Sequence, residues 1–240
     1  MTMPATRPET PPPDLRHDGG EVLLVDKPKG WTSFDVVHKV KHLLRARKVG
    51  HAGTLDPSAT GLLILCTGRR TREMSAFTGL EKEYEAEIVL GSRTASFDAE
   101  TPVIEKRPTD GITADRVREV LQGFTGTQLQ VPPMWSAAKV GGRRLYEYAR
   151  RGVEVERAAR EIEIRAIIPT EIAIPIVRFT VVCSKGTYIR SLAEDIGSRL
   201  GCGAYLMNLR RTRIGEYHVR DAWTLVDLAA RVDAGRVAAG

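Results

Sequence analysis

The stretch KEYEAEIVLG, residues 82–91, alternates without a break: Tyr84, Ala86 and Ile88 fall on one side of an extended chain, and Glu83, Glu85 and Glu87 on the other. A period of two marks a strand with one buried and one wet face. The same alternation returns in REIEIRAI (160–167) and VRFTVVCS (177–184). Strands of this kind, without regular helical spacers, argue against a doubly wound parallel sheet, whose strands are apolar on both faces. The expected class is α+β, with a mixed or antiparallel sheet flanked by helices.

Helical periodicity supplies the flanking layer. From Ser33, read as an N-cap, Val36, Val37, Val40, Leu43 and Leu44 form one stripe, while His38, Lys39, Lys41, His42 and Arg45 form a basic opposite face. TADRVREVLQGF predicts a second helix capped by Thr113, and IRSLAEDIGSRLG a third that stops at Gly201. EVLLVDKPKG reads as a short buried strand, Val22 to Val25, running into a turn. Residues 1–20 are Pro-rich and polar and read as a disordered tail.

Charge narrows the partners. The 240 residues suit one large domain or one domain plus appendages; 36 Lys and Arg stand against 30 Asp and Glu, a net +6 that favours a polyanion. The cations crowd into 39–72, 139–160 and 185–220. Cys66, Cys183 and Cys202 are odd in number and widely spaced, so they read as buried free thiols in a reducing cytoplasm. No apolar run is long enough to span a membrane, and no signal sequence is recognised. Phe124 to Gly152 is rich in Gly, Pro, aromatics and Arg; on composition it is either a flap over a ligand or a variable surface loop.

Between Asp35 and Glu73 the only acid is Asp56, inside the turn-rich VGHAGTLDPSATGLLIL (49–65). Pro57 pushes Asp56 out of the helical region and stiffens its backbone, and the apolar run 62–65 anchors the loop to the core. A carboxylate held so among cations is either a turn cap or a group that works in its charged form. Motifs for phosphate loops, zinc proteases, nucleophile elbows and dinucleotide binding are absent. Glycosidase chemistry asks for two carboxylates, and this loop offers one.

GHAGTLDPSATGLL closely resembles the catalytic motif of the TruB family of tRNA pseudouridine synthases. VDKPKGWTSFDVV resembles the family's Lys-Pro motif, and KEYEAEIVLG its tyrosine strand. QVPPMWSAAKVGGRRLYEYARRG is similar to its RNA-gripping insertion, CSKGTYIRSLAEDIG to its arginine motif, and LRRTRIG to the motif near the end of its catalytic domain. The resemblance covers roughly residues 21–228. It implies a pseudouridine synthase fold over 21–228 with an RNA-gripping insertion at 124–152; many relatives carry a further C-terminal RNA-binding domain of PUA type, whereas a short tail at 229–240 without one is expected here.

The implied reaction turns uridine 55 in the T loop of tRNA into pseudouridine, with the base flipped out of its stack. By the resemblance, Asp56 is the catalytic carboxylate, attacking the base, attacking the sugar, or removing a sugar proton. Tyr84 stacks on the uracil, Arg190 pairs with Asp56, and His51 fills the space of displaced T-loop bases. Leu209 lines the base pocket and Lys27 packs nearby. No cofactor, metal or protein partner is implied, and a cytoplasmic monomer is expected. From the residues alone, Tyr84 reads as a core tyrosine and Arg190 as a solvated first-turn residue. The family's run after the tyrosine strand is altered here to TASFDAE, with Ala95 and Glu100 in place of an Asp and a Gly, a change bearing on loop geometry. The reading from another class is a non-enzymatic tRNA-binding or tRNA-folding protein.

Overall fold

The computed structural model describes residues 20–237, so the tail read over 1–20 lies, apart from Gly20, outside the described residues, as do 238–240. In chain order the elements are β1 (Val22–Lys27), α1 (Ser33–Leu43), β2 (Val49–His51), β3 (Thr60–Thr67), α2 (Met74–Gly79), β4 (Lys82–Leu90), β5 (Ser92–Thr94), β6 (Val103–Lys106) and α3 (Ala114–Gln122). They continue with β7 (Gly126–Gln130), β8 (Lys139–Val140), β9 (Arg143–Arg144), α4 (Leu145–Ala149), β10 (Arg160–Ala173), β11 (Ile176–Cys183), α5 (Ile189–Leu200), β12 (Ala204–Ile214), β13 (Tyr217–His218) and α6 (Leu225–Val237). The class is α+β with a mixed sheet and flanking helices, as the alternation required.

The chain divides into two units, one of residues 1–83 and 210–240, the other of 84–209. In the first the strand order is β1–β3–β12. β1 and β3 are antiparallel with Leu24 opposite Ile64, and β3 runs parallel to β12 with Thr60 opposite Arg210. β3 reads as an unbroken apolar run because both its faces are covered. Leu63 and Leu65 pack with Val36, Val40, Trp223 and Leu228, whereas Leu62, Ile64 and Cys66 pack with Phe77, Ile214 and Tyr217. Burial pushes the Cys66 thiol up to about 11, so it stays protonated. All three cysteines are free and buried.

One expected cap moves by a residue. Thr32, not Ser33, caps α1: Asp35 N donates to Thr32 Oγ1 (3.0 Å) and Thr32 N donates to Asp35 Oδ2 (2.8 Å). The physical reason is the spacing, since a hydroxyl residue three before an acid closes a reciprocal capping box.

In the second unit the order is β12–β4–β11–β10–β7. Tyr84, Ala86 and Ile88 are buried on β4 while Glu85 is exposed. α3, capped by Thr113, packs on β10 and α5, and α5 ends at Gly201 with φ +82°. The stretch read as an insertion, 124–152, contains β7, paired with β10, then the β8–β9 hairpin and α4. Among the described residues no helix is long and apolar enough to cross a membrane.

Candidate active site

In the first unit β2 and β3 are antiparallel, with Gly50 opposite Cys66, so residues 52–59 form the link between them. Glycine geometry sets its two ends. Gly53 has φ +101° and Gly61 φ +104°, backbone regions that a side chain strains. A Cβ on Gly61 would also sit 2.3 Å from the Arg211 carbonyl oxygen.

Three side chains then pin the loop on both sides of Asp56. Ser33, displaced from the cap, uses its hydroxyl on Leu55: Leu55 N donates to Ser33 Oγ (2.8 Å), which donates to Leu55 O (3.0 Å). On the other side, Pro57 O accepts from Gly30 N at 2.8 Å and from Lys27 Nζ at 3.4 Å. Lys27 is fully buried, and its ammonium also donates to the carbonyls of Trp31 (2.6 Å) and Pro28 (3.0 Å). Arg211, 1% exposed, donates from Nη2 to Gly53 O (3.0 Å) and from Nε to Leu62 O (2.7 Å). Asp56 itself is half-buried between these anchors. His51, also half-buried, opens the loop. Burial first, and the Arg211 charge second, hold its imidazole below the usual histidine range, so it is neutral at pH 7.

In the second unit Tyr84 is buried on β4 and Leu209 half-buried on β12. Arg190 is not the solvated residue its spacing suggested: it is 4% exposed. Its guanidinium donates to Ser96 O (Nη1, 3.2 Å) and Trp135 O (Nη2, 2.7 Å), and Nε lies 3.5 Å from Asp98 Oδ2. These partners are 94, 55 and 92 residues away in sequence, which is why spacing alone misplaced it. Asp98 is held in turn: Ser96 Oγ and Glu100 N donate to its Oδ1, and Thr94 Oγ1 donates to its carbonyl (2.7 Å). Thus in the altered run TASFDAE the retained Thr94 and Asp98 are buried, as is Ser96, while the departures, Ala95 and Glu100, fall on exposed positions.

Lys27, His51 and Asp56 therefore meet around one loop of the first unit, and Tyr84, Leu209 and Arg190 stand in the second. Sequence reasoning missed Ser33 as a loop anchor, Arg211 as its clamp, and Asp98 as a partner of Arg190. A buried Arg inside a strand of LRRTRIG carries no signal until the carbonyls it faces are known. Among the described residues no group of three or more His, Cys, Asp or Glu is placed to hold a metal.

The α+β fold with its mixed sheet is that of the pseudouridine synthases, as solved structures show. The chain superposes on the Cbf5 component of a Cbf5–Nop10–Gar1 complex with TM-score 0.71 at 32% identity, covering 96% of this chain and 60% of that one. An H/ACA particle bound to a substrate RNA gives 0.69 at 30% identity, covering 96% and 59%. The chain thus spans about 60% of the length of those solved chains.

The family model for the TruB pseudouridylate synthase N-terminal domain matches residues 41–189, and that for the tRNA pseudouridylate synthase B C-terminal domain matches 190–236. The tRNA pseudouridine synthase B of Chlorobium luteolum is 51% identical over 220 residues, 90% of this chain and 76% of that protein. That of Chloroherpeton thalassium is 47% identical, covering 89% and 90%. The chain belongs to the TruB family of tRNA pseudouridine synthases, an isomerase family.

Proposed function

We propose that the chain converts uridine 55 of the tRNA T loop to pseudouridine and that Asp56 is the carboxylate on which the reaction depends. The observation that carries this reading is the bracing of Asp56: both neighbours, Leu55 and Pro57, are bonded to buried or helix-start groups, so a single carboxylate keeps one position. Positioning of this kind lowers a barrier by removing the entropy of alignment.

The chemistry balances without a cofactor. The bond from uracil N1 to the ribose breaks, the base turns within its pocket, and C5 is joined to the same sugar carbon. C5 gives up its proton and N1 ends with one. A carboxylate that attacks the base, attacks the sugar or takes a sugar proton serves equally, and each route needs it aligned with a base held outside its stack. Tyr84 is assigned to stacking on the uracil, Leu209 to lining its pocket, Arg190 to orienting the reacting groups and His51 to the gap left by displaced T-loop bases. Neutrality suits His51 for packing against bases. Lys27 acts through Pro57 and the turn at residues 28–31. Residues 124–152 are assigned to gripping the RNA, within the catalytic domain.

The Cbf5 neighbours are described in complexes with other proteins or RNA, whereas the nearer sequence relatives are tRNA enzymes, at 51% against 32% identity. This favours tRNA as the substrate; a cytoplasmic monomer acting without a protein partner is part of the same proposal. The test is site mapping. The purified chain, incubated alone with a bare tRNA transcript, is followed by carbodiimide labelling and primer extension. A single stop at the T-loop uridine is expected. A stop elsewhere, or one that appears only when a guide RNA is added, contradicts the reading.

A further inference from the structure

The first helix, α1, carries an aromatic face that is exposed to solvent. Gly30, Trp31, Phe34, Asp35 and His38 line an open cavity of about 530 Å3, within the first unit. Its walls are aromatic and wet. Phe34 is 64% exposed and Trp31 36%, and the Phe34 and His38 rings lie 4.6 Å apart, tilted by 55°. Large exposed apolar groups gathered in one place mark a contact surface rather than ordinary surface.

The surroundings say what kind of contact. From Val36 to Leu55 the chain has no acid, and Lys39, Lys41, Arg45, Arg47 and Lys48 are all exposed. Phe34, His38 and Lys41 recur at four- and three-residue intervals on α1, so the aromatic end of the helix face runs into a cationic one. The only acid in the lining, Asp35, is turned into the helix cap, where its Oδ2 accepts from both Thr32 N (2.8 Å) and Thr32 Oγ1 (2.7 Å). Flat rings beside a line of cations are the recognised chemistry for unpaired nucleotides: every base has a face to stack, and every linkage a charge to neutralise. The patch is also tied to the loop of Asp56. Trp31 O accepts from Lys27 Nζ (2.6 Å), and Gly30 N donates to Pro57 O (2.8 Å).

We propose that the Trp31–Phe34–His38 face is an RNA subsite that stacks one unpaired base of the bound tRNA, with the flanking phosphates running along the cations that follow. The proposal rests on tRNA being the substrate. A base seated there bears on the turn at residues 28–31, which is bonded to Pro57, so occupancy and the position of Asp56 are linked.

Filter binding of a tRNA transcript at fixed salt tests it, with Phe34→Ala, Phe34→Leu, Phe34→Tyr and wild type compared. The exposed position makes all three variants foldable, and a circular dichroism melt checks this. Loss of one stacked base should weaken Kd about tenfold in Phe34→Ala. Phe34→Leu should fall nearly as far, because it keeps apolar area without a flat ring, and Phe34→Tyr should bind like wild type. Unchanged affinity in Phe34→Ala overturns the subsite. So does leucine matching phenylalanine, which would mark an apolar protein contact, or a wild-type dimer in sedimentation that Phe34→Ala dissociates. Because Kd is read without turnover, a wild type that forms no pseudouridine but still loses affinity in Phe34→Ala would sink the isomerase reading and leave the subsite standing.

Discussion

At the scale of single residues, the account turns on how little freedom the Asp56 loop has. Two glycines with positive φ separate two physical causes. Gly30 (φ +83°) has open space where a Cβ would go, so Gly30→Ala meets only backbone strain, on the order of 1 kcal/mol. Gly61→Ala adds a collision with the Arg211 backbone and should lose roughly 3 kcal/mol or more, read as a lower urea midpoint. Arg211→Ala strands the carbonyls of Gly53 and Leu62 and should cost about 3 kcal/mol in the same assay. Arg211→Lys, which cannot reach both carbonyls, should fall between. His51 sets a pH dependence. Its folded value lies below the unfolded one, so its stability contribution is complete above about 6.5 and is lost as pH falls through the folded value. Thermal melts should therefore show His51→Gln losing less stability than wild type between about pH 7 and pH 5.

At the scale of elements, α1 carries three jobs on eleven residues: a core stripe, a loop anchor and an exposed aromatic-to-cationic face. The jobs separate by mutation. Thr32→Ala removes the capping box and should cost about 1 kcal/mol without touching the loop. Ser33→Ala leaves the cap in place but frees Leu55, so its cost should appear in turnover more than in melting temperature. On the cationic face, replacing Lys39 and Lys41 by Gln should lower the slope of log affinity against log salt by roughly one to two, measured by filter binding at several salt concentrations.

The contrast between strands and side chains shows what was legible beforehand. β4, β10, β11, α3 and α5 were readable because each is written as a period of two or 3.6 along contiguous residues. The Thr32 cap was missed by one position because adjacent hydroxyls compete and only Asp35 decides between them. The burial of Arg190 and Arg211 was beyond reach physically, since each ends on backbone carbonyls brought near by folding, and a carbonyl has no sequence signature. Even so, the site motif stood out, because an isolated acid before proline among cations is a local pattern.

At the scale of the molecule, the fold joins sheet pairing of long sequence separation to a surface rich in cations, in keeping with a substrate that is large, negative and externally structured. On the proposed reading, affinity resides in spread-out charge and stacking, while chemistry is concentrated on the Asp56 loop. The two should be separable. The direct measurement is tritium release from tRNA transcript labelled with [5-³H]uridine, with wild type and Asp56→Asn side by side and tRNA binding recorded for both. C5 loses its hydrogen only if the base is re-joined through that carbon. Release by wild type, none above background by Asp56→Asn, and equal binding by the two is the predicted result. Release by Asp56→Asn at the wild-type rate would contradict the account, because the braced carboxylate would then be a turn cap and the chemistry would lie elsewhere.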